Sequence, residues 1–122
     1  MAKDYERKIH ELKEKIKNYC EVRDWDQFHG AKDLAIGLIT EAAEVLEHFR
    51  FKSEEEVEAL FKSPEKREQI EDEMADTMYF LLRLAQKYDV DLSGALDRKM
   101  EKNEKRYPVD KCRGSNKKYN EL

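Results

Sequence analysis

Hydrophobic and polar residues follow the period of an α-helix through most of the chain. In the first segment, apolar residues recur every three or four positions, at Tyr5, Ile9, Leu12, Ile16 and Tyr19. This spacing predicts an amphipathic helix over residues 4–22, with solvated Lys and Glu on its other face. After a break at "RDWDQFHGAKD", the pattern predicts a second, largely apolar helix from Leu34 to about Phe51.

Two serines mark the starts of later helices. Ser53 can cap a short helical turn in the charged connector after the second helix. Ser63 and Pro64 place a capping side chain immediately before a proline that fits the first helical position. A long third helix is therefore predicted to run from this point to about Tyr88.

The C-terminal part of the chain predicts one more helix and a tail. A fourth helix is expected over residues 95–107, because Pro108 cannot continue it. Residues 109–122 are polar and basic, which is typical of a flexible tail. No strand pattern and no internal repeat is present. We expect an all-α fold, a four-helix bundle, with a single domain spanning residues 1–122.

Composition narrows the possible partners. Hydrophobic residues make up only 39% of the 122 positions, so assembly into an oligomer would enlarge a lean core. Charged residues make up 43%, but 24 basic residues nearly balance 28 acidic ones, and the net charge is −4. This balance argues against general binding to nucleic acid or to a membrane surface.

The cysteines and the N-terminal sequence indicate the cellular compartment of the protein. Cys20 and Cys112 lie far apart and have no metal-ligand spacing, which is typical of ordinary thiols in a reducing environment. The N-terminus is charged throughout, and the longest apolar run, "LAIGLI", is too short to span a bilayer. We expect a cytoplasmic protein.

Two acidic pairs interrupt the apolar helices. Glu41 and Glu44 line the edge of the apolar arc of the second helix. Glu73 falls inside the apolar arc of the third helix, and Asp76 lies one step outward, where Arg83 marks the predicted polar side. Unpaired charges on a packed face are costly, so these four carboxylates need a cation. Three or four converging oxygens suit a hard divalent ion, Mg²⁺ or Mn²⁺.

Two other interpretations of these acids remain open. The spacing of three also occurs elsewhere in this acidic chain, and the four side chains could instead form interhelical ion pairs with Lys or Arg. A di-iron bundle normally requires Glu-x-x-His on two helices. No Glu in this sequence is followed by His three residues later, which disfavours that site.

Basic and aromatic residues suggest where a phosphorylated ligand could bind. Lys99, Asn103 and Arg106 share one edge of the fourth helix, beside the stripe that contains Tyr107, although a solvated face is the alternative. Trp25 and His29 precede the second helix, and Phe51 follows it. Such rings could stack a nucleobase, or they could simply hold the loop against the bundle, where His29 would serve as a hydrogen-bonding loop residue.

Several segments together resemble the MazG-like, all-α nucleoside triphosphate pyrophosphohydrolase superfamily, and more narrowly its dCTP pyrophosphatase branch. The resemblance runs from about residue 21 to residue 122. An ExxE helix followed by an ExxD helix is the signature, matched by Glu41, Glu44, Glu73 and Asp76. "RDWDQFH", "KMEKNEKRYP" and "KKYNEL" are similar to the flanking segments of that branch.

This resemblance implies hydrolysis of dCTP, or of a related nucleotide, to the monophosphate and pyrophosphate. The four acids would bind Mg²⁺, and Glu41 or Glu44 would orient or deprotonate the attacking water. The resemblance also assigns residues to the two ends of the substrate. The base would lie near Trp25, His29, Phe51 and Phe80, and the phosphates would contact Lys99, Asn103, Arg106, Tyr107, Lys118 and Tyr119.

The chain departs from the animal dCTP enzymes near the expected base site. Ile16 replaces a His, Phe51 replaces a Trp, and Phe80 replaces a Tyr. Asp33 stands where an Asn is usual. Loss of hydrogen-bonding side chains makes the site more apolar, which affects the preferred base rather than the hydrolytic chemistry.

Two functions from different classes therefore compete. The first is a house-cleaning pyrophosphohydrolase of the nucleotide pool. The second is a non-catalytic helical module that binds a metal or a protein partner. The broad apolar helices and the family resemblance both favour a homo-oligomer, either a homotetramer assembled as a dimer of dimers or a homodimer.

Overall fold

The computed structural model describes residues 1–122 and contains only helices, turns and irregular segments. The all-α class is therefore confirmed. The α-helices are α1 (Ile9–Glu21), α2 (Ala31–Phe49), α3 (Glu54–Lys62), α4 (Pro64–Lys87), α5 (Leu92–Arg106) and α6 (Val109–Cys112). Short 3-10 turns occur at Asp4–Glu6, Asp26–Phe28 and Tyr119–Glu121.

Several helix starts differ from the predicted ones. Arg7 and Lys8 have an extended backbone, so α1 begins at Ile9 rather than at residue 4. Tyr5 is 87% exposed, and without a packed face the first residues gain little from continuing the helix. In contrast, α2 begins earlier than predicted, because the carbonyl of Gly30 accepts a hydrogen bond from the Leu34 amide at 3.0 Å.

The serine caps are confirmed. The Ser53 hydroxyl accepts a hydrogen bond from the Glu56 amide at 3.2 Å, and the Glu56 carboxylate accepts one from the Ser53 amide at 3.1 Å. This reciprocal capping box extends the predicted helical turn into the nine residues of α3. Ser63 accepts from the Lys66 amide and begins α4 at Pro64.

The chain forms two compact units, an N-terminal unit of residues 1–89 and a C-terminal unit of residues 90–122. In the N-terminal unit, α4 packs against α1, α2 and α3, and its contact with α2 is the largest. The core of this unit consists of Cys20, Leu34, Ile70, Leu82 and Ala85. In the C-terminal unit, α5 is followed by α6 and the last 3-10 turn, so the predicted tail contains helical segments.

The predicted polar side of α4 is wrong at Arg83. Its side chain is fully buried, although helical periodicity places it next to acidic surface positions. The guanidinium is tolerated inside because it hydrogen-bonds to the side chains of Asp26, His29 and Gln86.

Helices α2 and α4 approach closely at Gly37. A Cβ atom on this residue would lie 2.5 Å from Cδ1 and 2.7 Å from Cζ of Phe80. Any side chain at Gly37 would therefore collide with the Phe80 ring, so the absence of one permits this contact. None of the six helices combines the length and the hydrophobicity needed to cross a bilayer.

Candidate functional site

The contact between α2 and α4 brings the predicted acids together. Glu41 on α2 and Glu73 and Asp76 on α4 each offer a carboxylate oxygen, and these three oxygens lie within 4.8 Å of one another. Residues three apart lie on nearly the same side of a helix, so Glu44 joins Glu41 on this side of α2. Glu47, one turn further along α2, instead forms an ion pair with Arg50.

Two oxygens of this acidic cluster have no partner. Glu41 Oε2 and Glu73 Oε2 are both buried and accept no hydrogen bond. Buried polar atoms normally find a partner, and leaving them without one costs free energy. The ion pairs of the structure join Lys17 to Glu21, Arg50 to Glu47, Arg67 to Glu71 and Arg83 to Asp26, and none involves the four acids. The structure therefore forms no interhelical ion pair of the four acids with Lys or Arg.

The electrostatics of the cluster follow from this crowding. Burial raises the pKa of Glu41, and hydrogen bonding with Glu44 and the charges of Glu44 and Asp76 raise it further. Hydrogen bonding with Glu44 is the main cause that raises the pKa of Glu73, to about 7, followed by burial and the neighbouring carboxylates. Glu44 therefore neighbours both Glu41 and Glu73, while the close group of oxygens comprises Glu41, Glu73 and Asp76. Such crowded carboxylates repel one another at neutral pH unless a proton or a cation is bound.

A cavity of about 370 Å³ adjoins this cluster within the N-terminal unit. Its volume lies in the range of small-molecule sites. The walls combine two of the acids with aromatic and basic side chains, namely Lys15, Tyr19, Trp25, Glu41, Ala75, Asp76, Tyr79 and Phe80. The structure therefore has an open, partly aromatic cavity directly beside a carboxylate cluster.

Only part of the predicted base site borders this cavity. Trp25 and Phe80 line it, whereas His29 and Phe51 do not. The Nδ1 atom of His29 accepts a hydrogen bond from Arg83 at 3.0 Å. Phe51 follows α2 with a φ of 63° and is 90% exposed, an uncommon conformation for a bulky residue.

Four residues that line the cavity are absent from the predicted site: Lys15, Tyr19, Ala75 and Tyr79. Tyr19 meets Trp25 edge to face, with ring centroids 5.7 Å apart, and Tyr79 meets Phe80 in the same way at 5.1 Å. The hydroxyl of Tyr79 lies 3.1 Å from the thiol of buried Cys20, which fixes that ring. The sequence predicts Tyr19 on the apolar stripe of α1, whereas its pattern places Lys15 on the solvated face.

The predicted phosphate-binding residues all belong to the C-terminal unit. Four of them form one group around the ring of Tyr119: Tyr107 meets it edge to face at 6.1 Å, and the Arg106 guanidinium lies 4.8 Å from its centroid. The Lys118 ammonium lies 6.0 Å from the same ring. Lys99 and Asn103 lie one turn apart on α5, and the carbonyl of Asn103 accepts the Tyr107 amide at 2.8 Å.

Comparison with known proteins identifies the family. The model of the MazG-like family matches residues 36–122, a range that contains all four acids and the whole C-terminal unit. The chain belongs to the MazG-like family. Trp25 and His29 precede the range that this family model matches.

Relatives of this MazG-like chain support the dCTP pyrophosphatase branch. It is 40% identical over 100 residues to dCTP pyrophosphatase 1 of Bos taurus and 38% identical to that of Homo sapiens. Each match covers 82% of this chain but only 59% of the relative, so the chain spans little more than half of those proteins. A crystal structure of a pyrophosphatase from Archaeoglobus fulgidus has a TM-score of 0.77 and 30% identity, and the match covers 88% of this chain and 99% of that one.

Proposed function

We propose that this protein is a divalent-metal-dependent nucleoside triphosphate pyrophosphohydrolase. It would cleave dCTP or a related nucleotide between the α and β phosphates, giving the monophosphate and pyrophosphate. One observation carries the proposal: carboxylate oxygens of Glu41, Glu73 and Asp76 converge beside a cavity, and two oxygens of this cluster are buried without a partner. The names of the mammalian relatives and of the archaeal pyrophosphatase support the same activity. The family match spans both compact units, so we also propose that residues 1–122 act as one domain.

The residues of the cluster fit a hard divalent ion. All donors are carboxylate oxygens, which Mg²⁺ and Mn²⁺ prefer, and a cation would give the unpartnered oxygens of Glu41 and Glu73 a partner. We propose Glu41, Glu44, Glu73 and Asp76 as the ligands of Mg²⁺, with Mn²⁺ as a substitute. A bound divalent ion would neutralise charge on the phosphate oxygens and make a water more acidic.

The chain's own residues would do the remaining work. Glu41 borders the cavity, and Glu44 lies beside it, so either carboxylate is placed to orient the attacking water and to accept its proton. Water attack needs no covalent intermediate on the protein. Binding of the nucleotide at the cavity would keep the phosphates close to the acidic cluster. The attacking water and the phosphate would then already be positioned for reaction, which lowers the entropic part of the barrier.

Base binding and phosphate binding are each proposed for a separate set of residues, within one compact unit each. Trp25 and Phe80 offer aromatic faces in the cavity, and each stacking contact with a base is worth about 1–3 kcal/mol. We propose that this cavity accepts the base. The group around Tyr119, together with Lys99 and Asn103, remains our proposal for phosphate binding, because Arg106 and Lys118 supply the positive charge that an anion requires.

Exposed apolar side chains support assembly of several subunits. Ile39 and Leu46 on α2 are 69% and 59% exposed, and Met74 and Met78 on α4 are 55% and 45% exposed. A single chain leaves these faces uncovered, whereas an obligate interface would bury them. We propose a homo-oligomer, a tetramer or a dimer, in a reducing cytoplasmic compartment where its free cysteines would persist. Light scattering that gives the mass of one chain would contradict this assembly.

The activity can be tested directly by ³¹P NMR. The full chain is incubated with a panel of ribo- and deoxyribonucleoside triphosphates, with and without Mg²⁺, and monophosphate plus pyrophosphate is expected only with the metal. Glu44→Gln and Glu73→Gln should lose turnover and keep their helical content. Glu47→Gln is the matched control, because Glu47 lies one turn beyond Glu44 but faces Arg50.

Two results would overturn the proposal. Full turnover in Glu44→Gln or Glu73→Gln would remove the assigned site. If every triphosphate stays intact with Mg²⁺ or Mn²⁺ present, the protein is instead a non-catalytic metal-binding or interaction module.

A further inference from the structure

Arg83 is the only buried charged residue of the structure, and its partners lie far away in sequence. The guanidinium Nε donates to Nδ1 of His29 at 3.0 Å, and another of its nitrogens pairs with the carboxylate of Asp26. The third nitrogen donates to Gln86, one turn later on α4. Asp26 and His29 belong to the segment between α1 and α2, and we call its residues 24–30 the Trp25 loop.

The C-terminal end of α4 holds this loop at further points. The ammonium of Lys87 donates to the carbonyl of Asp26 at 3.3 Å. The hydroxyl of Tyr88 accepts the amide of Ala31, where the loop enters α2, at 3.0 Å. Arg83 is the buried member of this set, so it fixes the loop from beneath while the other two contacts lie nearer the surface.

Trp25 connects the anchored loop to the cavity. Its ring lines the cavity and lies 6.2 Å, centroid to centroid, from the ring of His29. The Arg83 guanidinium therefore contacts His29, and His29 in turn lies beside Trp25, which lines the cavity. Asp24, at the start of the loop, has a φ of 54°, so the backbone immediately before Trp25 is held in the left-handed region.

We propose that Arg83 is a positioning residue, which holds the Trp25 loop so that the Trp25 ring forms one wall of the base-binding cavity. The inference rests on the proposed function in one respect, that the cavity binds the base. It adds a role that neither the family pattern nor helical periodicity assigns to position 83.

The chemistry of the side chain supports this role over a purely structural one. An apolar residue would fill a core position on α4 without the cost of burying a charge. A guanidinium instead offers a rigid fork of donors, which fixes the direction of each hydrogen bond. Here two prongs of the fork point at one loop, so the loop's orientation, and not only its attachment, depends on Arg83.

The test uses the only tryptophan of the chain as its probe. Because Trp25 is unique, its emission maximum and its quenching by acrylamide report directly on the loop. These two signals are measured in Arg83→Lys and Asp26→Asn, alongside thermal melting and steady-state kinetics with dCTP. Lysine keeps the charge but cannot form the fork, and Asp26→Asn weakens the same contact from a half-exposed side chain that the fold tolerates more readily. Arg67→Lys, the same replacement at an exposed position of α4, is the matched control.

Both variants should make Trp25 easier to quench and raise KM for dCTP by about tenfold, while kcat changes by less than about threefold. The expected change is a partial loss, since one base-stacking contact contributes roughly 5- to 150-fold in affinity. A loss in KM alone is the signature of weakened binding that is equal in the ground state and the transition state. Arg67→Lys should leave all signals unchanged.

Unchanged Trp25 quenching and unchanged KM in folded Arg83→Lys and in Asp26→Asn would overturn the inference. A fall in kcat with constant KM would also overturn it. If the unmodified protein hydrolyses no triphosphate, the proposed function fails separately, and the fluorescence of Trp25 still decides whether Arg83 positions the loop.

Discussion

Gly37→Ala tests the contact between α2 and α4 that carries both the core and the site. In an ordinary helix this replacement stabilises a protein by about 0.5–1 kcal/mol, because glycine loses more backbone entropy on folding than alanine. At Gly37 the new Cβ would lie 2.5 Å from Cδ1 of Phe80, whereas ordinary contacts begin at 3.4 Å. The ring or the helix must therefore retreat by about 1 Å, and neighbouring packed groups resist such a shift.

The surroundings of Phe80 decide where the strain goes. Tyr79 packs edge to face against the ring, and its hydroxyl is fixed by Cys20, so the ring cannot move freely in that direction. The open side is the cavity. Overpacking of this kind costs about 1–3 kcal/mol, which exceeds the gain in helix propensity. We expect a net loss of about 1–2 kcal/mol and a fall in melting temperature of about 5 °C.

The measurement is urea denaturation followed by circular dichroism. Gly94→Ala is the control: its new Cβ meets only the Asp91 carboxylate, at 3.0 Å, and that side chain can move aside. The double variant Gly37→Ala/Phe80→Leu should lose less stability than the two single variants together, because the smaller side chain relieves the clash. If Gly37→Ala raises the free energy of unfolding as propensity alone predicts, the reasoning about this contact is refuted.

Three further predictions concern charge and capping. Because the pKa of Glu73 is raised, its protonated form stabilises the metal-free fold below pH 4.5, and this stability is lost as pH rises through about 7. At pH 8 without metal, the melting temperature of Glu73→Gln should therefore be higher than that of the unmodified protein. Addition of Mg²⁺ should reverse this order. Burial, and then the charge of Arg83, lower the pKa of His29. Its neutral ring therefore stabilises the fold above pH 6.5, and this stability is lost as pH falls. Quenching of Trp25 by acrylamide should rise on acidification of the unmodified protein, but not of His29→Gln. Ser53→Ala should lower the free energy of unfolding by about 1 kcal/mol in urea titrations, and an unchanged midpoint would show that the capping box adds nothing.

Local signals in the sequence were sufficient for most helices. Ser63 and Pro64 predicted the start of α4 correctly, and Ser53 predicted the start of α3, because a cap acts within a single turn and needs no distant partner. The acids at 41 and 73 were also recognisable, since a carboxylate among apolar neighbours is anomalous at the level of one helix. Their convergence within 4.8 Å depended on a contact between two helices.

Arg83 shows why the rest of the site was not predictable. Helical periodicity predicts that Arg83 faces solvent. Its burial depends on hydrogen bonds to Asp26 and His29, which lie more than fifty residues earlier in the chain. The importance of Gly37 was hidden for the same reason, because only the position of Phe80 on another helix excludes a side chain there. Helical periodicity describes one helix at a time, whereas the burial of Arg83 and the contact of Gly37 with Phe80 each depend on two segments of the chain.

A cation bound at the acidic cluster would also add stability to a fold with a lean core. Without a cation, the crowding that raises the pKa of Glu41 and Glu73 opposes the packing of α2 against α4. A bound divalent ion would turn the clustered oxygens of Glu41, Glu73 and Asp76 into a cross-link between these helices, since any ligand that binds only the folded state adds its binding free energy to stability. The contact that holds the proposed site together would then be most stable when the site is loaded, and the metal-free chain would be the form in which α2 and α4 separate most readily.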